Sequence, residues 1–155
     1  SGSATYYGGC LYMRESTVAL TDIDFTSCVT TESHGGGVSA RIRSSVTISG
    51  ASSFSSCTAS GGGYGGGMYV GGSSTAFVSG AAFDACSSSR GGAVCLADSF
   101  ATFIDLDVAN NENEDIYSGG DANEFYNCTN SCRAGQYGDC EMATTSDYGT
   151  CPVNC

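Results

Sequence analysis

The sequence repeats itself with a period just under 30 residues, and this feature constrains the fold more than any other. A phenylalanine followed three residues later by a cysteine occurs three times, with successive copies 29 residues apart. The copies are Phe25-x-x-Cys28, Phe54-x-x-Cys57 and Phe83-x-x-Cys86, with a degenerate fourth at Val108-x-x-Asn111. A repeat of this length indicates one supersecondary unit per copy, with each unit stacked on its neighbours.

A glycine pair precedes every copy, and apolar residues form columns between the two elements. The pairs are Gly8-Gly9, Gly36-Gly37, Gly66-Gly67 and Gly91-Gly92, and the second glycine stands 16 or 17 residues before the phenylalanine position. The columns are Val18, Val46, Ala76 and Ala101; then Leu20, Ile48, Val78 and Phe103; then Ile23, Ala51, Ala81 and Leu106. The first two columns lie two residues apart, which is the period of a strand with one buried face.

These patterns predict an all-β protein built as a short parallel β-helix of about four coils over residues 1–118. The 23 glycines disfavour helices, since each costs about 1 kcal/mol relative to alanine there. Phe25, Phe54 and Phe83 should stack in one buried column. An antiparallel sandwich is the alternative, but it gives no reason for columns that stay in register through four copies. Residues 119–155 lack these columns and are predicted to form a small disulfide-rich C-terminal tail.

Two segments resemble known families. The motifs GGGV, GGGM and GGAV, followed by FTSC, FSSC and FDAC, resemble the GGA[ILV] and FxxN repeats of the polymorphic outer membrane protein family over roughly residues 8–117. That resemblance implies a right-handed parallel β-helix and a surface or adhesive role. Cysteine replaces the family's asparagine in three copies, so an asparagine ladder is not expected. In the tail, Cys132-Arg-Ala-Gly-Gln-Tyr-Gly resembles the C-x-A-G-x-Y element of ephrin-receptor-like and laminin-like cysteine-rich modules.

Ten cysteines in 155 residues indicate an oxidising, extracellular or cell-surface location with a disulfide framework, and we expect few or none to be free. Cys28, Cys57 and Cys86 share one column, where neighbouring rungs are close enough for a bridge. Only one pair can form among the three, so the third must pair elsewhere or stay buried as a thiol. A bond between Cys10 and Cys95 is not expected, because two coils separate them. The disulfide candidates are Cys10, Cys28, Cys57, Cys86, Cys95, Cys128, Cys132, Cys140, Cys151 and Cys155.

Charge and composition exclude several partners and cofactors. A formal net charge of −11 is unsuited to nucleic acid or anionic membranes. No stretch approaches the roughly 20 apolar residues that span a bilayer, so membrane insertion is not expected. A zinc site is the alternative use of the cysteines, but the chain has one histidine and no CxxC pairs. We predict neither a metal nor a cofactor.

Several charged pairs could serve a polysaccharide-degrading enzyme, which is a further alternative for a β-helix. Carboxylates two residues apart lie on one face of a strand and can perform acid–base chemistry. The acidic pairs are Asp22/Asp24 and Asp105/Asp107, and Arg41/Arg43 has the same spacing. The alternation with Ile23 and Leu106 instead predicts solvated, outward-facing residues. His34 is expected in a loop, so we predict no catalytic residue and no enzyme activity.

Two polar segments suggest binding or modification. The acidic turn at residues 110–115 contains oxygen ligands suited to Ca²⁺, but it matches no defined calcium loop and is expected to be a solvated turn. Asn127-Cys128-Thr129 is an N-x-T sequon, so Asn127 is a candidate glycosylation site.

The functional expectation follows from the ends of the solenoid. The first coil starts by residue 8, and residues 1–7 are too few to cap it with a helix. An open solenoid end invites another strand, and head-to-tail contacts that do not close produce filaments. We therefore expect a structural subunit of an extracellular fibre, appendage or surface layer, which associates with itself or with related subunits in a polymer. The alternatives are an adhesin or glycan-binding module and, after it, a polysaccharide lyase or hydrolase.

Overall fold

The computed structural model of the protein describes residues 1–120 and the strand at Asn123–Asn127. This part of the chain is all-β and contains no helix, and hence none long and apolar enough to cross a membrane. Its strands stack into a parallel β-solenoid of about four turns, so the predicted fold class is confirmed.

Each coil contributes one short strand to each of four sheets, which we call A to D. Sheet A contains β1 (Ser3–Ala4), β5 (Val29–Thr30), β9 (Thr58–Tyr64) and β13 (Ser87–Arg90). Sheet B contains β2 (Leu11–Arg14), β6 (Val38–Arg41), β10 (Met68–Gly71), β14 (Val94–Ala97) and β17 (Ile116–Gly119). Sheet C contains β3 (Thr17–Thr21), β7 (Ser45–Ser49), β11 (Thr75–Ser79), β15 (Phe100–Ile104) and β18 (Asn123–Asn127). Sheet D contains β4 (Asp24–Thr26), β8 (Ser53–Ser55), β12 (Ala82–Asp84) and β16 (Asp107–Ala109).

The first two predicted columns form the core under sheet C. Val46 pairs with Val18 on one side and with Ala76 on the other, and Ile48 is in register with Val78 in the same way. The side chains of Val46, Ile48 and Val78 are fully buried. Alternate residues of each strand point outward, as the period of two predicts.

The phenylalanine column is confirmed. The rings of Phe25 and Phe54 stack with centroids 4.8 Å apart, and those of Phe54 and Phe83 with centroids 4.4 Å apart. Phe54 and Phe83 are fully buried, while Phe25 at the end of the column is 8% exposed. The rings of Phe54 and Phe83 also pack on the last glycine of the tract in their own coil. A Cβ atom at Gly37 would lie 2.9 Å from Cδ1 of Phe54, so glycine leaves the space that the ring fills.

The predicted alignment of the glycine pairs is wrong by one residue in the second and third coils. Gly9 donates its amide hydrogen bond to the carbonyl of Gly35, and Gly36 donates to that of Gly65, so the tracts of the second and third coils begin one residue earlier than the predicted pairs. Three consecutive glycines made both alignments possible from sequence. The tracts in register are Gly8-Gly9-Cys10, Gly35-Gly36-Gly37, Gly65-Gly66-Gly67 and Gly91-Gly92-Ala93. The first glycine of every tract has a positive φ, between 54° and 73°.

One predicted core position is also wrong. Ser52, and not Ala51, lies between Ile23 and Ala81 in the inward column, because the second coil carries one residue more at this corner than the first. Ser52 is buried and Ala51 is exposed. The buried hydroxyl is satisfied, since it donates to the carbonyl of Ser49 at 2.8 Å and accepts from the amide of Ile23 at 3.3 Å.

The last described strand extends the solenoid. β18 pairs in parallel with β15, so residues 123–127 belong to sheet C although the sequence assigns them to the tail. Asn127, the predicted glycosylation site, ends this strand in register with Ile104. The predicted cysteine-rich module otherwise lies outside the described residues. So do five of the disulfide candidates, Cys128, Cys132, Cys140, Cys151 and Cys155.

Candidate functional site

The N-terminal end of the solenoid exposes strand edges. β2, β3 and β4 are the outer strands of sheets B, C and D, and each pairs on one side only within the described residues. The other edge of each strand presents backbone N–H and C=O groups that a further parallel strand could pair with. The first coil is therefore a candidate site for association.

The core is also incompletely covered at this end. Leu11, Val18 and Leu20 pack against the core but remain partly exposed, whereas their partners in the next coil are fully buried. Those partners are Val38, Val46 and Ile48. Burying such side chains contributes about 25 cal/mol for each Å² of apolar surface removed from water. A coil docked here would gain this energy as well as backbone hydrogen bonds.

A row of aromatic and cationic side chains runs along the outside of the coils, where sheets A and B meet. We call it the tyrosine–cation ladder. Its members come from two positions of the coil. One is the residue just before the glycine tract, and the other is on the outward side of a sheet B strand, where the second coil contributes Arg41 from the end of β6. They are Tyr7, Tyr12, His34, Arg41, Tyr64, Tyr69, Arg90 and Tyr117.

The ladder is continuous through its first half. The ring of Tyr12 stacks on that of Tyr7 with centroids 5.3 Å apart. The guanidinium of Arg41 lies 4.4 Å from the Tyr7 centroid and 5.5 Å from that of Tyr69. His34 then stacks on Tyr69 at 4.6 Å. Each cation–π contact at such a site stabilises by about 0.5–1 kcal/mol.

In the second half of the ladder, tyrosine rings again alternate with a histidine or an arginine. His34 also stacks on Tyr64 at 4.7 Å, so the imidazole lies between two tyrosine rings. Arg90 lies 5.6 Å from the Tyr64 centroid and 5.1 Å from that of Tyr117, and its Nη1 donates a hydrogen bond to the Tyr117 hydroxyl at 2.9 Å. Because ring faces contact one another along the solenoid axis, few faces inside the ladder are free for a ligand.

Packing within the ladder shifts two pKa values. Burial lowers the pKa of His34, and the nearby charge of Arg41 lowers it further. The imidazole accepts a hydrogen bond from the Tyr64 amide at Nδ1, which fixes the neutral tautomer with its proton on Nε2. Burial also raises the pKa of Tyr69, against the opposing effect of Arg41. His34 is thus a structural member of the ladder.

Sequence reasoning missed the ladder, although a signal was present. Tyr7, His34, Tyr64 and Arg90 each stand immediately before the glycine tract of their coil. Aligned correctly, these four residues form a column of aromatic and cationic side chains. The wrong alignment of the glycine pairs in the second and third coils hid it.

The cysteines pair differently from the main expectation. Cys10 and Cys28, which belong to the same coil, form a disulfide. Cys57, Cys86 and Cys95 are fully buried free thiols, so these three disulfide candidates are not bridged. Cys28 pairs outside its column, so Cys57 and Cys86 both remain as small buried groups. Their thiols donate to the carbonyls of Phe25 and Phe54 in the preceding coils, at 3.4 and 3.5 Å.

Cys95 lies under the ladder. It points outward from sheet B between Tyr69 and Tyr117 in register, yet it is fully buried. Burial, followed by the nearby charge of Glu114, raises its pKa to about 12. A thiol with such a pKa is almost entirely protonated at neutral pH and is therefore a poor nucleophile.

The other charged candidates are structural or solvated. Asp22 and Asp24 are exposed on either side of Ile23, and Asp22 accepts a hydrogen bond from the Ala51 amide at 2.9 Å. Arg43 lies 3.6 Å from Glu15 in an exposed ion pair. Exposed pairs of this kind typically contribute less than about 1 kcal/mol.

The acidic turn at residues 110–115 is held by its own asparagines. Asn111, at the fourth copy's cysteine position, accepts a hydrogen bond from the Cys86 amide at 2.9 Å and donates to Asp115 at 2.9 Å. Asn110 donates to Asp84 at 2.7 Å. No cluster of three or more His, Cys, Asp or Glu residues that could hold a metal ion occurs among the residues that the structure describes.

Sheet C presents an uncharged outward face. Its outward positions in four strands carry hydroxyl or apolar side chains, and two phenylalanines, Phe77 and Phe100, are 41% and 40% exposed. The positions are Thr17, Ala19, Thr21, Ser45, Thr47, Ser49, Thr75, Phe77, Ser79, Phe100, Thr102 and Ile104. This face is a second candidate surface.

Comparisons with known proteins give no family for the chain. No family model matches it, and neither does any curated protein or solved structure. The resemblances to polymorphic outer membrane protein repeats and to ephrin-receptor-like modules consequently have no support from a family match.

Proposed function

We propose that the protein is an extracellular structural subunit whose solenoid associates end to end with another copy or a related subunit. The N-terminal coil would receive the last coil of a neighbour, and repetition of this contact would build a fibre or surface layer. The observation that carries the proposal is the first coil, where three strand edges and a partly covered apolar core lie together.

The tyrosine–cation ladder supports association at the same end. Tyr12, the terminal ring of the ladder, is 43% exposed, and Tyr6 beside Tyr7 is 61% exposed. A docked coil would continue the stacking as well as the sheets and the core. Because the stacked rings, the sheets and the core would all continue into the docked coil together, the contact favours a single register. Ten cysteines and the Cys10–Cys28 disulfide fit a protein that functions outside the cell.

The test is the concentration dependence of the sedimentation coefficient, compared between matched charge variants. Leu20→Lys places a charge at the partly exposed end of the core, whereas Thr47→Lys places the same charge on the side of the second coil. We expect Leu20→Lys to abolish association and Thr47→Lys to leave it unchanged, with circular dichroism confirming β structure in both. A wild-type chain that stays monomeric at every concentration, or equal effects of the two variants, would refute the proposal.

A second candidate function is adhesion to an uncharged polysaccharide through sheet C. Phe77 and Phe100 can stack on sugar rings, and the surrounding hydroxyls can donate and accept hydrogen bonds. In a chain of net charge −11, an uncharged face favours an uncharged partner. Pull-down with insoluble cellulose or chitin tests this, with Phe77→Ala and Phe100→Ala expected to reduce binding. Retention of the variants equal to that of wild type would contradict it.

A further inference from the structure

Three cysteines stand directly above one another in successive coils. The amide of Thr58 donates to the carbonyl of Cys28 at 2.8 Å, and that of Ser87 donates to the carbonyl of Cys57 at 2.9 Å. These bonds place Cys28, Cys57 and Cys86 on adjoining rungs, which are about 4.8 Å apart. That separation falls within the Cα range of disulfides, about 4.4–6.8 Å. Cys57 therefore lies next to one half of the existing disulfide.

The disulfide joins one exposed cysteine to one buried cysteine. Cys10 is exposed, whereas Cys28 is fully buried within the column. Reagents in solvent can approach Cys10, while the side chain that neighbours Cys28 along the column is the free thiol of Cys57.

The column also activates Cys57. The neighbouring thiol of Cys86 lowers the pKa of Cys57, against the opposing effect of burial. The interaction with Cys57, together with burial, raises the pKa of Cys86. Cys57 is consequently the thiol of the pair that ionises first, and the thiolate is the species that attacks a disulfide.

We propose that the column is an internal thiol–disulfide exchange site, in which Cys57 attacks Cys28 and releases Cys10 as a solvent-exposed thiol. The Sγ–Sγ bond between Cys57 and Cys28 forms as that between Cys28 and Cys10 breaks. The proton lost by Cys57 is balanced by one gained at the Cys10 thiolate, so no external oxidant or reductant is needed. Cys86 acts on the attacking group only through its proximity to Cys57, and is therefore a positioning residue.

The exchange creates a modification site. In the starting form, all three free thiols of the described coils are buried. After exchange, the free thiol nearest solvent is Cys10, at the N-terminal coil and next to the glycine tract. This inference does not depend on end-to-end association, because the reaction takes place within one chain.

Peptide mapping of the unreduced 155-residue chain tests the exchange. The folded protein is incubated with iodoacetamide at pH 8 and then digested. Trypsin leaves Cys10 in residues 1–14, Cys28 in 15–41, and Cys57 with Cys86 in 44–90. Chymotrypsin then separates Cys57 from Cys86, because Tyr64 and Tyr69 lie between them. We expect carbamidomethylated Cys10 to accumulate together with a Cys28–Cys57 linked peptide.

Two variants assign the roles. Cys57→Ala should eliminate Cys10 labelling and retain the Cys10–Cys28 peptide. Cys86→Ala should retain the exchange but slow it, because the neighbouring thiol that lowers the pKa of Cys57 is gone. Cys10 that remains unlabelled in wild type after prolonged incubation at pH 8, or that is labelled equally in Cys57→Ala, would overturn the proposal. Should Cys57→Ala fail to fold, the presence or absence of the Cys28–Cys57 peptide in wild type decides the question.

Discussion

Replacing Phe54 with alanine tests the stacked core most severely. Phe54 is fully buried and contacts a ring on each side, at 4.8 and 4.4 Å, as well as the Gly37 backbone. Truncating a buried phenylalanine to alanine typically costs about 3–5 kcal/mol. The loss of two aromatic pairs, each contributing about 0.5–1.5 kcal/mol, places Phe54→Ala in the upper half of that range. We expect the free energy of unfolding to fall by about 4–5 kcal/mol.

Urea denaturation followed by far-UV circular dichroism measures this change, with Phe77→Ala as the matched control. Phe77 is the same residue type in the next coil, but it points outward from sheet C and is 41% exposed. Its truncation should change stability by no more than about 0.5 kcal/mol. A loss below about 1 kcal/mol for Phe54→Ala, or equal losses for the two variants, would refute the buried phenylalanine column.

Three further predictions address the corner packing, the ladder and the disulfide. Gly67→Ala should destabilise by about 1–3 kcal/mol in the same urea assay, because the new Cβ would lie 2.6 Å from Cδ1 of Phe83; an unchanged midpoint would contradict the packing of ring on glycine. Stability should decline as the pH falls below about 6.5, because the pKa of His34 is lower in the folded chain and the unfolded chain therefore binds more protons. His34→Gln should remove this decline between pH 7 and 5.5, a range above the usual titration of carboxyl groups. Cys10→Ser should cost about 3 kcal/mol, as expected for a closed loop with a sequence separation of 18, and thermal unfolding that matches wild type would show that the bridge does not stabilise the first coil.

The solenoid can be predicted from the sequence because residues that recur at a constant interval come into register when the coils stack in parallel. Phe25, Phe54 and Phe83 recur at a constant interval, and a parallel stack is the arrangement that turns this interval into ring contacts. Errors arose at corners, where one residue can be inserted without disturbing the strands. Ser52 took the place predicted for Ala51 for this reason.

The candidate sites were harder to predict because they depend on contacts between coils. The ladder is visible in sequence only when Tyr7, His34 and Tyr64 are aligned at the correct side of the glycine tract. The Cys10–Cys28 bridge joins two corners of a single coil, and the repeat interval carries no information about that distance. Column spacing alone favoured disulfides between neighbouring rungs. It did not indicate that Cys28 would bond to a cysteine outside the column.

Electron microscopy of the purified chain at high concentration tests end-to-end association most directly. The described residues form four to five rungs, which at about 4.8 Å each predict filaments with an axial rise of about 19–24 Å per subunit along the solenoid axis. The first coil of one subunit, with Tyr12 and Leu20, should contact the last coil of the next. Discrete monomers, or assemblies joined through the sides of the sheets with the first coil left exposed, would contradict the account.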